Sequence, residues 1–465
     1  NYYASAIFDS LVMLGSDGKA KPGIAERWEI SADGKSHTFY IRKGVKFHNG
    51  SDLTAADVKF SLERFIAADA THSQAAAVRA VIDGVDLKDD YTVVVRLKQA
   101  NGDVLPSYLA HTGAAAIVPK KYIDEKGIDN FRKNPIGSGP WKVVTYQQGG
   151  TEMVLEAVEN HWRATPKFKT VKMELVPEET TRIAQLKTGE LDIAEIGPDS
   201  VKDVKAAGLR VVSYDVGNQG AISLHYDVDN PTAVPLGDVR VRKALSIAIN
   251  RQEISDKLFA GYAKPSAIWR VGKTGDYFDP NVVKVDTYDP EGAKKLLADA
   301  GFPNGFAMKQ IVSASDSATL AQAVDGYWRA IGVKDEIQNI DSNTVVGMHS
   351  PKPSAALLGN AWTYFSAGTV GWANVAPVYA STGFHKNTKN ARLDELLGKI
   401  PSVTDLAQRK LMTQEASVLM KNDYATLPTV DVQEILGIGK TVGEWQPTLG
   451  LPAFGLDLEK ITAAK

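Results

Sequence analysis

Between Pro22 and Phe65 the spacing of apolar positions changes from strand-like to helix-like, and this stretch organises the reading of the rest. Trp28-Glu29-Ile30, the turn signal Ala32-Asp33-Gly34-Lys35 and the β-branched and aromatic run His37-Thr38-Phe39-Tyr40-Ile41-Arg42 predict a β-hairpin. A second turn at Asn49-Gly50 precedes Thr54-Ala55-Ala56-Asp57, a capping-box spacing with Leu53 and Val58 at the staple positions. Val58, Leu62 and Phe65 then share one helical face, which predicts a short amphipathic helix. From Val78 to Lys98 the pattern is strand-like again, broken by the polar turn Lys88-Asp89-Asp90.

Further along, Asn134-Pro135-Ile136-Gly137-Ser138-Gly139-Pro140 interrupts regular structure, because the prolines remove donors and the glycines permit positive φ. Pro177 to Lys187 predicts a helix stopped by Gly189, with Ile183 and Leu186 on one face, before Leu191-Asp192-Ile193 turns extended. Leu224-His225-Tyr226-Asp227 predicts a strand, and the polar connection from Asp229 to Pro235 is expected to be the first crossing into a second lobe. Asp238, Asn250 and Asp289 each stand at the N-cap of an apolar-periodic run, with Pro290 at a first helical position and Gly261 and Gly301 as stops. This alternation implies an α/β protein.

Composition narrows the class. A chain of 465 residues is expected to form two or three domains rather than one core. With 53 basic against 55 acidic side chains it lacks the positive footprint of a nucleic-acid binder. No cysteine is present, so disulfides, thiolate metal sites and a cysteine nucleophile are ruled out. No apolar run approaches the roughly 18 residues that span a bilayer. Asn1-Tyr2-Tyr3 is not a translation start, so a processed or omitted N-terminal segment is expected.

Enzyme motifs fail one by one. Gly34-Lys35-Ser36, Gly272-Lys273-Thr274 and Gly439-Lys440-Thr441 each lack the earlier glycine of a phosphate loop, with Glu29, Ala267 and Glu434 in its place. No nucleophile elbow and no His-Glu-x-x-His helix occurs. Asp227-Val228-Asp229-Asn230 starts like a calcium loop but lacks the glycine and the distal glutamate. No catalytic residue, metal ligand or cofactor is assigned.

Several of these stretches resemble the signature of family 5 extracellular solute-binding proteins, the receptors of peptide- and nickel-type ABC importers. The residues that carry the resemblance are Pro22 to Ile30, Gly34 to Phe39, Ile41 to Gly50, Leu53 to Val58, the Asn134 to Trp141 break, Met153 to Trp162, and Asp238 to Leu245. The match runs from about Ile7 to Leu427. It implies a two-lobed periplasmic-binding-protein (Venus-flytrap) fold of the large peptide-binding type, with an extra β-rich subdomain in lobe one. The expected division is 1–23, 134–230 and 431–465 in lobe one, 24–133 as the subdomain, and 231–430 as lobe two. The family usually begins with one more strand than is present before Asn1.

The resemblance also implies a monomeric periplasmic receptor that takes a small organic solute to a membrane permease. Asn360-Ala361-Trp362-Thr363-Tyr364-Phe365-Ser366-Ala367-Gly368, followed by Trp372, is non-periodic and rich in flat side chains, as suits an irregular loop. Such a loop either walls a ligand or edges a core; the resemblance favours the wall, in the cleft of lobe two. Asn360, Trp362, Tyr364, Phe365 and Trp372 are therefore ligand-site candidates, joined by Tyr2, Tyr3, Asn218, Gln219, Trp269 and Arg270 from segments that meet the cleft in the family. Arg270 has the fork geometry for a carboxylate or phosphate. In peptide-binding members an aspartate in the aromatic segment pairs with the ligand ammonium. No carboxylate lies between Asn360 and Trp372, which weakens a peptide ligand without removing it. A hydrolase, or a chaperone or sensor on the same scaffold, stays open as an alternative.

Overall fold

The computed structural model describes every residue except 1–3, 16–18, 72–74, 103, 105–108, 111–115, 272–278, 314, 349–355, 368–371, 373–374, 384, 386 and 448–456. The chain separates into two compact units, Asn1–Tyr214 with Glu434–Lys465, and Asp215–Gln433. Two long strands, Arg210–Leu224 and Thr426–Ile438, carry the chain out of the first unit and back. The first crossing therefore lies inside a continuous strand, whereas the sequence pattern places it at the Asp229–Pro235 connection. A strand whose two halves serve two cores shows no break in composition where one core ends.

In unit one the hairpin Ala25–Ile30 and Ser36–Ile41 pairs antiparallel with Ile30 opposite His37. It is extended by Thr92–Leu97 and Ile82–Asp89 into a four-stranded sheet. The alternation in Ser36–Ile41 is complete: His37, Phe39 and Ile41 are buried while Ser36, Thr38 and Tyr40 are half-buried. The helix Ala55–Ile66 covers this sheet, its Val58 and Leu62 fully buried. The Asp57 carboxylate accepts from Thr54 N at 2.9 Å and from Lys120 N at 2.9 Å, so the cap also tethers the next helix, Lys120–Lys126. The strand pattern around Val78 begins later than the sequence suggests, because Ala75–Val81 is helical. Four alanines in that heptapeptide outweigh its valines.

A three-stranded antiparallel sheet of Trp141–Tyr146, Glu152–Ala157 and Thr170–Glu174 follows the proline-glycine break. Behind it comes the helix Glu179–Thr188, which starts two residues after Pro177 and ends at Gly189 with φ 83°. Ile193–Glu195 then pairs with Leu436–Ile438.

Unit two is built on Lys334–Asn339, Ala307–Val312 and Ala361–Ala367, three parallel strands, with Ala361–Ala367 also antiparallel to Asn218–Leu224. The strand predicted at Leu224–Asp227 ends at Leu224 and begins fourteen residues earlier, at Arg210. Asp238, Asn250 and Asp289 cap their helices through Arg240 N, Glu253 N and Gly292 N. Val241, Ala244, Leu245 and Ala248 enter the core beside Trp328, whose Nε1 donates to Leu245 O at 3.0 Å.

Candidate ligand site

The segment from Asn360 to Gly368 is not an irregular loop: Ala361–Ala367 is a central strand. Both of its faces carry large aromatic and small side chains, Trp362, Tyr364 and Ser366 on one and Thr363 and Phe365 on the other, which is why the period escaped the sequence pattern. Trp362, Tyr364 and Ser366 stand on one face, opposite Ser223, Ala221 and Gln219 of the neighbouring strand. Phe365 stands on the other, edge-on to Phe259 at 6.2 Å and 75°, and packs into the helical core. Phe365 is thereby separated from the other aromatic candidates.

On the first face the rings form a wall. Trp362 lies 4.2 Å from Tyr364, tilted by 32°, and Trp269 meets Tyr364 edge-on at 5.3 Å and 83°. His385 joins from a distant part of the chain, 5.6 Å from Trp269 and 5.8 Å from Trp362. Such offset and edge-on pairs add to the area they bury. The wall is graded in depth. Trp269 and Tyr364 are at most 5% exposed and Trp372 is fully buried in the core behind them, whereas Trp362 is only half-buried. Trp269, Tyr364 and Trp372 are supports, and Trp362 is the ring with an accessible edge.

A polar margin borders the wall. Arg270 Nη2 donates to Ser366 Oγ at 2.8 Å, and its guanidinium carbon lies 4.9 Å from the Trp269 ring centre. Burial lowers the guanidinium pKa, against a small opposing effect of Tyr364 and Tyr379. Arg270 has φ 59°, a left-handed conformation that costs a non-glycine residue about 1 kcal/mol. Gln219 holds it there, its Oε1 accepting from Arg270 N at 2.8 Å. The same side chain donates from Nε2 to Asp431 Oδ1 at 2.7 Å. One buried glutamine thus links the arginine segment to a carboxylate 161 residues further along the chain.

Asn218 is half-buried on the same strand, opposite Ala367. Asn360 acts as a brace: its Oδ1 accepts from Lys309 N at 2.8 Å and its Nδ2 donates to Ala356 O at 2.8 Å. Tyr2 and Tyr3 lie outside the described residues.

Sequence reasoning missed Asp431, His385 and Ser223. Asp431 had a usable signal, since it is the one acid in the apolar strand run Leu427 to Val432. His385 had none, standing in a turn-rich segment. Ser223 Oγ is 3.0 Å from His385 Nδ1 and 3.3 Å from Tyr364 Oη. This is the separation of a nucleophile and a base. Ser223 is fully buried near the end of its strand, however, so no substrate reaches it, and the contact is core hydrogen bonding.

Among the described residues no three His, Cys, Asp or Glu side chains form a metal-holding group, and no helix is long and apolar enough to cross a membrane.

Comparison with known proteins adds to this geometry. The heme-binding protein A of Haemophilus influenzae is 26% identical, over 93% of this chain and 83% of its own. The glutathione-binding protein GsiB of Salmonella typhimurium is 29% identical, over 98% and 90%. The solved structure of HbpA2 from Haemophilus parasuis superposes with a TM-score of 0.83 at 23% identity, over 99% of this chain and 94% of the other. The fold is thus the two-lobed α/β architecture of periplasmic binding proteins. Residues 19–390 match the description of bacterial extracellular solute-binding proteins, family 5, and the chain belongs to that family.

Proposed function

We propose that this protein is the extracytoplasmic receptor of an ABC importer and that its ligand is a short, peptide-like zwitterion, captured as a one-to-one complex in the periplasm. The observation that carries the reading is the Gln219 side chain, which links the Arg270 segment to Asp431 on the strand face that also carries the half-buried Trp362. Arg270 supplies a fork for a carboxylate and Asp431 a counter-charge for an ammonium. Trp362 gives an apolar side chain a flat surface. The missing carboxylate between Asn360 and Trp372 had weakened a peptide ligand; Asp431, reaching the same face from another strand, restores it. The names of the relatives, one a binder of glutathione and another of heme, span the two ligand classes to be separated.

A receptor needs to hold its ligand without turning it over, and closure is favoured only by a ligand that binds the closed form better than the open one. The test is calorimetric titration with glutathione, trialanine and hemin, each followed by recovery of the compound and by small-angle scattering. One-to-one binding of a zwitterionic peptide, recovered intact, with a smaller radius of gyration, is the expected result. Binding of hemin alone overturns the zwitterion, and turnover of a bound compound overturns the receptor.

A further inference from the structure

Unit two holds a second concavity that shares no residue with the wall around Trp362. The helices Val239–Ile247 and Pro290–Asp299, the segment 282–289 and the last turn of Leu406–Asp423 enclose a cavity of about 800 Å³. Its floor is charged. Lys421 Nζ lies 2.7 Å from Asp286 Oδ2, with side chains 12% and 9% exposed. Asp286 Oδ2 also accepts from Ser246 Oγ at 2.5 Å, and Arg251 Nη2 stands 3.9 Å behind it. A single carboxylate therefore faces two cations in a poorly solvated place. Burial opposes ionisation of Asp286, but Lys421 and the Ser246 hydrogen bond outweigh it and hold its pKa below the usual value.

The walls add charge of the same sign. Lys243 and Lys284 both line the cavity, and among the described residues neither is in an ion pair. The only other carboxylate of the lining, Asp289, is committed to its cap, accepting from Gly292 N at 2.8 Å. Cations therefore outnumber carboxylates. The remaining lining mixes the polar Thr287 and Asn422 with apolar side chains, Ile247, Leu296 and Val418 among them. At the mouth Val282, Val285 and Tyr288 are 40%, 37% and 43% exposed, three large apolar side chains within seven residues of chain.

We propose that this cavity is a second ligand site, for a small organic carboxylate with an apolar, ring-bearing body. The carboxylate offsets the surplus positive charge at Lys243, Lys284 and Lys421, where a like charge is repelled. The body removes Val282, Val285 and Tyr288 from water. A cation lacks the first interaction, and an uncharged analogue keeps only the second.

The probe is 4-(trifluoromethyl)benzoate, titrated into the intact protein and followed by its fluorine NMR signal, with 4-(trifluoromethyl)benzamide as the uncharged counterpart. Saturable binding of the acid is expected, about tenfold tighter than the amide. The doubly substituted variant Lys243→Ala, Lys284→Ala weakens the acid about fivefold. Both lysines are exposed and unpaired, so its thermal midpoint stays that of the unsubstituted protein. Trp362→Ala separates the two sites and leaves binding of the acid unchanged. Equal affinity of acid and amide, absence of saturation, or loss of the acid in Trp362→Ala with retention in the lysine variant overturns the proposal.

Discussion

The loop at Asn134–Pro140 in unit one and the aromatic wall in unit two are both packed and hydrogen-bonded, but they are assembled in opposite ways. The loop is written largely in consecutive residues. A Cβ on Gly137 would lie 2.0 Å from Ile7 O, so the motif needs glycine where the backbones touch. His48 clasps it, Nδ1 accepting from Gly137 N at 3.2 Å and Nε2 donating to Gly139 O at 2.9 Å. A little further on, Trp162 Nε1 and Arg163 Nε donate to the buried Asp9 carboxylate at 2.8 and 3.2 Å, and Arg163 also meets Glu459. The wall, by contrast, draws on strands and turns between Gln219 and Asp431, and one of its rings remains partly open. The contrast teaches that a knot whose backbone and charged groups are tied to one another serves the fold, while a surface left incomplete serves a ligand.

The largest effect is expected from cutting the knot. Asp9→Ala leaves the Arg163 charge and the Trp162 indole donor without their shared acceptor. It should cost about 3–5 kcal/mol in chemical unfolding. A loss below about 1 kcal/mol would break the contrast at its first term.

Acid should come next. Burial lowers the pKa of His48, and that of His37 in the four-stranded sheet to about 4. The folded state takes up these protons less readily than the unfolded chain, whose imidazoles titrate near 6.5, so stability is full above that range and falls as the pH drops through it towards 4. His37 alone accounts for about 3 kcal/mol of that fall. Urea midpoints of His37→Leu across this range should show a shallower acid slope; an unchanged slope would remove His37 from the account.

Trp362→Ala should reverse the pattern of Asp9→Ala, weakening ligand binding by more than about 1 kcal/mol with the fold retained. Unfolding of this variant would make Trp362 one more core support and erase the distinction. The smallest change is expected from Asn360→Ala, which removes the acceptor of Lys309 N: about 1 kcal/mol of stability and no loss of affinity. Weakened binding there would move the edge of the site to include Asn360.

Local rules were enough for much of the fold. The hairpin at Ala25–Ile41, the helix caps at Asp238, Asn250 and Asp289, and the stop at Gly189 depend on neighbours within a few residues, and each is readable from its own stretch. Trp362, Tyr364, Trp269 and Arg270 could be named as candidates because flat and forked side chains are uncommon and carry recognisable chemistry. Their roles could not. Which ring is support and which is surface depends on strand register, since a shift of one residue would exchange Phe365 for Tyr364. That Asp431 stands beside the Arg270 segment depends on a pairing between residues 212 positions apart, Gln219 and Asp431. A hydrogen bond over such a separation is created by the closing of the tertiary structure, and no local preference along the chain encodes it.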